Sequence, residues 1–191
     1  MWEGTPLWRR WQARLASEQL KASVTAPDLI EMGLVEMSQM NRSAARLGKF
    51  KKYPFGLWLF SRAICIKAPY FSTIRPTFTT LEPGRGEAKF KKRRAVINHL
   101  GTVHAIAMAN LCELVAGTTL EITLPNTHRW IPKSMKINYL AKATTDVRAR
   151  TAIDLATWPE AGSVNVRVEV VNTENATVAT ADIEMYISRR N

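Results

Sequence analysis

Residues 103–120 carry one formally charged side chain, Glu113, among alanines, leucines and other apolar residues. The many alanines, the few β-branched residues and the length read as helix rather than strand. A helix apolar on most of its circumference has to be covered on most of its circumference. The fold must therefore supply a surface that wraps around it. Glu113 stands out in this setting, because burying an unpaired carboxylate is costly. Just upstream, Asn98, His99 and His104 form a polar cluster at the start of the same helix.

The segments around the helix can supply the wrapping. Residues 134–143, 147–157, 164–171 and 178–187 read as strands. Val164, Val166, Val168 and Val170 alternate with Asn165, Arg167 and Glu169, which is the period of an antiparallel sheet with one wet face. Asp146 and the segments 159–162 and 172–175 supply turns. Before the helix, 70–81 and 88–94 read as strands flanking a Pro- and Gly-rich turn over 82–86. The expected class is α+β: an antiparallel sheet of about six strands around a central helix.

Upstream of residue 68 the chain reads helical. Trp8, Trp11 and Leu15 share one stripe over 7–21, away from Arg9, Arg10 and Arg14. Thr25-Ala-Pro27-Asp28 has the cap, the early proline and the early acid of a helix start. That helix is expected to end at Gly48, and Tyr53-Pro54 opens a third through about residue 66. These segments predict an N-terminal helical extension over 1–67, packed on a main domain over 68–191. Packing is the expected role of the tryptophan stripe, and contact of this N-terminal helix with a membrane surface is the less favoured reading.

A chain of 191 residues can build a sizeable core. Cys65 and Cys112 lie in apolar surroundings and read as small buried hydrophobes in a reducing compartment, with a disulfide left open. Glu3, Arg9, Arg10, Arg14 and Glu18 interrupt the N-terminus, which lacks the apolar core of a signal peptide. The apolar run 55–66 is broken by Arg62 and is too short to span a bilayer. A cytoplasmic protein is the expectation. The net charge of +11 favours anionic partners. Nucleic acid is not expected among them, since charge alone favours it and no aromatic–basic motif accompanies the charge.

Asn98, His104, Glu113 and Gly117, then Trp130-Ile-Pro-Lys-Ser-Met-Lys-Ile-Asn-Tyr139-Leu-Ala-Lys-Ala143 and Asp146-Val-Arg-Ala149, carry a resemblance. In these residues the chain resembles the hotdog-fold acyl-CoA thioesterase superfamily. It is most similar to an uncharacterised branch related to phenylacetate-pathway thioesterases, the DUF4442 or YiiD C-terminal type, over roughly 69–190. The resemblance implies a hotdog fold, hydrolysis of an acyl-CoA thioester, and a homodimer or dimer of dimers. It implies Glu113 as nucleophile or general base, and the Ala105 amide as donor to the oxyanion. Asn98 would position substrate or water, and His104 would orient the loop or contact the thioester. Gly101 and Gly117 are the implied substrate-binding glycines. No metal and no cofactor is implied, coenzyme A being part of the substrate. The superfamily's usual His-Gly-Gly is His104-Ala105-Ile106 here. Two other readings accompany it: a non-catalytic acyl-CoA-binding protein, and a hydroxyacyl dehydratase using His99 and Glu113. The Pro- and Gly-rich loop that such dehydratases carry after the histidine is missing.

Helical geometry adds a constraint. Nine residues separate His104 from Glu113, which is about half a turn around and ~13 Å along a helix. One helix cannot aim both at one atom, whereas helices from two adjacent protomers can. A shared site is therefore expected, with Glu113 from one protomer and Asn98 and Ala105 from the other. Lys133, Lys136, Lys142, Arg148 and Arg150 follow the helix and are the candidate partners for coenzyme A phosphates.

Overall fold

One helix of 19 residues runs through the molecule, and a single six-stranded sheet curls around it. The computed structural model describes residues 42–153 and 159–190. In chain order these form α1 (Arg42–Lys51), α2 (Gly56–Lys67), β1 (Thr77–Glu82), β2 (Arg85–Phe90), α3 (Ala105–Thr123), β3 (His128–Tyr139), β4 (Val147–Ala152), β5 (Ala161–Val171) and β6 (Thr177–Arg189). Residues Met40–Asn191 make one compact unit. The strand order is β1-β2-β4-β5-β6-β3, every neighbouring pair antiparallel. This is the α+β hotdog architecture: α3 is the filling and the sheet the wrapper.

The two-residue period of the strands decides which side faces the helix. Val147, Ala149 and Thr151 of β4 point inward, while Arg148 and Arg150 point out. Val166, Val168 and Val170 of β5 and Ala181, Ile183 and Met185 of β6 continue the inner face. On α3, Leu111, Cys112, Leu114, Val115, Ala116 and Leu120 are almost wholly buried. Each such large apolar side chain stabilises the fold by about 1.5–3 kcal/mol. Small residues let the sheet close tightly, and Gly86 is the tightest point. A Cβ there would lie 1.8 Å from the Thr119 hydroxyl of α3. By length and apolar composition α3 is long enough to cross a bilayer, yet 67% of that window is buried inside the protein, as befits a core helix.

Helices α1 and α2 pack on this body. Leu47 and Phe60 join the core, and Phe60 makes edge-to-face contacts with Phe50 at 5.7 Å and Phe78 at 6.5 Å. Cys65 and Cys112 are buried and unbridged.

Several element boundaries differ from the sequence reading. The strand expected from residue 70 starts only at Thr77, because Pro69–Ile74 coils into a 3-10 turn with its proline in the first turn. The third strand begins earlier than residue 134, at His128. Pro132 sits within it because β3 is an edge strand, and the register shifts between Pro132 and Ser134. The helix expected to stop at Gly48 runs on to Lys51. The stripe over 7–21 and the helix start over 25–28 lie outside the described residues.

Candidate active site

Glu113 lies midway along α3 and is half-buried. It lines a groove of about 740 Å³ that opens between α1, α2, α3 and the start of β3. The apolar lining comes from Phe50, Phe60, Ile64, Phe71, Leu114 and Trp130. Among the described residues nothing hydrogen-bonds or ion-pairs with the Glu113 carboxylate. An acid held next to apolar walls without a partner is available for chemistry.

A second acid in the same groove behaves differently. Glu121 accepts hydrogen bonds from Trp130 Nε1 at 2.8 Å and from Ser43 Oγ at 3.0 Å, and Arg190 lies 3.6 Å away. Those contacts make Glu121 a structural acid that fixes the indole. Gly117, between the two acids, is where the indole meets the helix: a Cβ there would lie 2.6 Å from the ring. Gly117 therefore shapes the groove by admitting Trp130. Four cations also line the groove, namely Arg46, Lys67, Arg129 and Arg190. Arg46 and Lys67 have no partner among the described residues.

The other end of α3 carries the polar cluster. His104 is the N-cap, and its Nδ1 accepts from the Ile106 amide at 3.1 Å. That bond leaves Nε2 as the protonated, outward nitrogen of the neutral ring. Ala105 follows as the first helical residue, and its N–H has no partner among the described residues. A free N–H at a helix start, reinforced by the helix dipole, favours negative charge. The Ala105 carbonyl accepts from the Tyr139 hydroxyl at 3.1 Å, which ties the end of β3 to the first turn of α3. Partial desolvation of the phenol against α3 pushes the Tyr139 pKa up.

The Asn98 side chain builds the loop before the helix. Its Oδ1 accepts from the amides of Leu100 at 3.0 Å and Thr102 at 3.2 Å, while Nδ2 donates to Thr102 Oγ1 at 3.0 Å. Gly101 closes the same loop at φ +73°. One hydrogen of the Asn98 amide is left over. His99 is exposed in this loop.

The structure does not bring the expected phosphate-binding cations to the groove. Arg148 and Arg150 lie on the outer face of the sheet in cross-strand ion pairs, with Glu87 at 3.6 Å and Glu169 at 2.7 Å. Hydrogen bonds from Thr177 and Arg150 hold the Glu169 carboxyl below the usual carboxylate range. Lys133 sits over the Tyr186 ring at 4.7 Å, and Lys136 and Lys142 are exposed on and just after β3. The groove's own cations carry no sequence signal, because Arg46 and Lys67 belong to helices without a recognisable motif and Arg129 and Arg190 meet only where the start of β3 pairs with the end of β6. Among the described residues no cluster of three or more His, Cys, Asp or Glu could hold a metal.

Within one chain, eight residues place Ala105 ~12 Å along the helix from Glu113. Acid and oxyanion donor thus belong to different regions of the protomer surface.

This arrangement of strands around a helix has counterparts. A family model described as a domain of unknown function, DUF4442, matches residues 56–187. The chain belongs to the DUF4442 family. This DUF4442 chain is 41% identical to a structural-genomics protein, APC5556, over 78% of its own length and 99% of that chain, with a TM-score of 0.69. A Pseudomonas aeruginosa protein, PA5026, described as a probable thioesterase, is 18% identical over 72% of this chain and 97% of its own, with a TM-score of 0.64. The Haemophilus influenzae thioesterase HI1161 is 12% identical over 63% of this chain and 82% of its own, with a TM-score of 0.57. At those two identities the likeness is one of fold: the DUF4442 chain shares the hotdog architecture of proteins named thioesterases. No curated protein matches it.

Proposed function

We propose that this DUF4442 protein hydrolyses acyl-CoA thioesters to the free acid and coenzyme A, with each site assembled from two protomers. The observation that carries the reading is Glu113, a half-buried carboxylate in a groove with apolar walls and without a partner among the described residues. In the proposed reaction its carboxylate takes a proton from water as the water oxygen bonds to the thioester carbon. The Ala105 N–H of the second protomer donates to the carbonyl oxygen as it becomes an oxyanion. The C–S bond then breaks, and coenzyme A leaves as a thiolate that takes the proton back from Glu113. His104 holds the Ala105 turn in shape through its cap, and the spare Asn98 N–H faces the thioester. The apolar groove takes the acyl chain, and Arg46 and Lys67 face phosphate groups.

A second copy has a natural place to bind. β3 is a 12-residue strand at the sheet edge, and Ile131 and Tyr139 on it are exposed. An edge of that length, unpaired among the described residues, is a template for another strand. Pairing through β3 brings a partner to the tie between Tyr139 and Ala105.

The test is a panel of acyl-CoAs of increasing chain length, read by release of free thiol. Glu113→Gln should lower kcat by about 100-fold or more, on the scale of a lost general base. Hydrolysis untouched by that substitution would overturn the mechanism. One feature favours the acyl-CoA-binding reading, the Ala105 methyl where the superfamily has glycine. Tight acyl-CoA binding with no thiol release from any substrate would decide for that reading.

A further inference from the structure

Helix α2 has an apolar face that none of the described residues covers. At about 100° per residue, positions 58, 59, 62 and 66 fall within about 100° of arc. Trp58, Leu59 and Ile66 on this stripe are exposed, Ile66 by 81%, and Arg62 stacks over the Trp58 ring at 5.9 Å. Phe55, the residue before the helix, is 82% exposed, and Tyr53 and Tyr70 flank the stripe with exposed rings. Lys49, Lys51 and Lys52 at one end and Lys67 at the other are exposed as well.

We infer that this face docks on an anionic lipid bilayer. Aromatic rings and aliphatic side chains ringed by lysines match the two layers of a membrane surface, acyl chains beneath and negative headgroups above. Lys51 pairs with Glu82 at 4.0 Å, and Lys49, Lys52 and Lys67 have no acidic partner among the described residues. A second copy of the chain fits the patch poorly. A two-fold contact would set this patch against itself, lysines facing lysines, in a protein of net charge +11. The patch also lies away from the free strand edge: α2 packs on β1, at the opposite end of the sheet from β3.

Docking there places the groove beside the bilayer. Ile66 and Tyr70 alternate along the chain with Lys67 and Phe71, which line the groove that holds Glu113. The inference does not require hydrolysis and is separable from it.

The experiment is vesicle flotation of the full chain. Vesicles of phosphatidylcholine alone are compared with vesicles of phosphatidylcholine and phosphatidylglycerol. The protein should float with the anionic vesicles and stay in solution with the neutral ones. The triple variant Phe55→Ser, Leu59→Ser, Ile66→Ser should lower the partition coefficient at least tenfold. Lys51→Glu with Lys52→Glu, or 0.5 M salt, should lower it severalfold. These side chains are exposed, so the melting temperature of each variant verifies the fold, and thiol release from a short, soluble acyl-CoA should match wild type. No flotation of the wild-type chain overturns the inference. Flotation unchanged in the triple variant also overturns it and assigns binding to another segment. A drop in oligomeric mass of the triple variant without lipid, by light scattering, would assign the face to a second copy instead.

Discussion

Gly117 and Trp130 are in direct contact, so that a single added methyl at 117 would come within 2.6 Å of the indole. The indole is not free to retreat, because its Nε1 is bonded to Glu121 at 2.8 Å. Gly117→Ala must therefore break that bond or shift α3. Overpacking costs about 1–3 kcal/mol, and replacing a mid-helix glycine by alanine returns about 1 kcal/mol. The net expectation is a loss of about 1 kcal/mol, read by urea unfolding. A rise in KM for acyl-CoA with a smaller change in kcat should accompany it, since the groove is reshaped and Glu113 is not. Unchanged KM would separate the Trp130 wall from substrate binding.

Ala105 offers a clean way to delete one hydrogen-bond donor. It is the first residue of α3, where proline is tolerated because the N–H has no intrahelical partner. The preceding His104 has φ −66° and ψ 138°, the extended conformation that a following proline demands. Ala105→Pro should leave stability within about 0.5 kcal/mol while lowering kcat by about 100-fold, the usual loss of an oxyanion donor. Mixing it with Glu113→Ala subunits then tests the shared site. Hybrid dimers carry one intact half-site pair, so inactive parents should regain up to about a quarter of wild-type activity after statistical exchange. Hybrids that form, by native mass spectrometry, and remain inactive would show that each chain uses its own acid and amide.

The part of the fold that repeats along the chain was legible. Alternation in β5 and the apolar run of α3 encode burial directly: Val166, Val168 and Val170 face the core and most of α3 is covered. Glu113 was legible for the same reason: an acid without company in such a run has to be accounted for. The groove around it was not, because it needs Phe50 and Arg46 of α1, Phe60 and Lys67 of α2, and Trp130 of β3 to converge. None of these is unusual in its own segment. Glu121 was missed because nothing local distinguishes it from Glu113; the Trp130, Ser43 and Arg190 side chains that hold it are distant in sequence or across a turn. Asn98 was legible as a member of the polar cluster, but its bonds to the Leu100 and Thr102 amides, which build the loop, appear only in the structure.

Cys112 makes stability depend on alkaline pH. It is 0% exposed on α3, and burial pushes its thiol up to about 12 from 9.0. The folded pKa lies above the unfolded one, so folding favours the protonated thiol. That contribution is complete below pH about 9 and is lost as pH rises from about 9 through about 12, at up to about 1.4 kcal/mol per pH unit. Cys112→Ala removes the titration at the cost of a small cavity. Urea melts at pH 8, 9.5 and 10.5 should show wild type losing its advantage over the variant as pH rises. A gap independent of pH would mean that the thiol ionises as readily in the folded protein as in the unfolded chain.

Phe55 is a bulky residue held at φ 67°, in the left-handed region, at the start of α2. Such a conformation costs a non-glycine residue about 1–2 kcal/mol. The ring is 82% exposed, so burial does not repay this cost. Glycine at this position would remove the strain, and its extra freedom in the unfolded chain would take back only part of the gain. Phe55→Gly should therefore stabilise the protein by about 0.5–1 kcal/mol, raising Tm by about 1–4 °C. The same variant should float less well with anionic vesicles, because it removes one of the rings offered to the lipid. A more stable protein that binds membrane less would identify the strained, exposed phenylalanine as retained for docking. Equal flotation with higher stability would leave it as strain without that use.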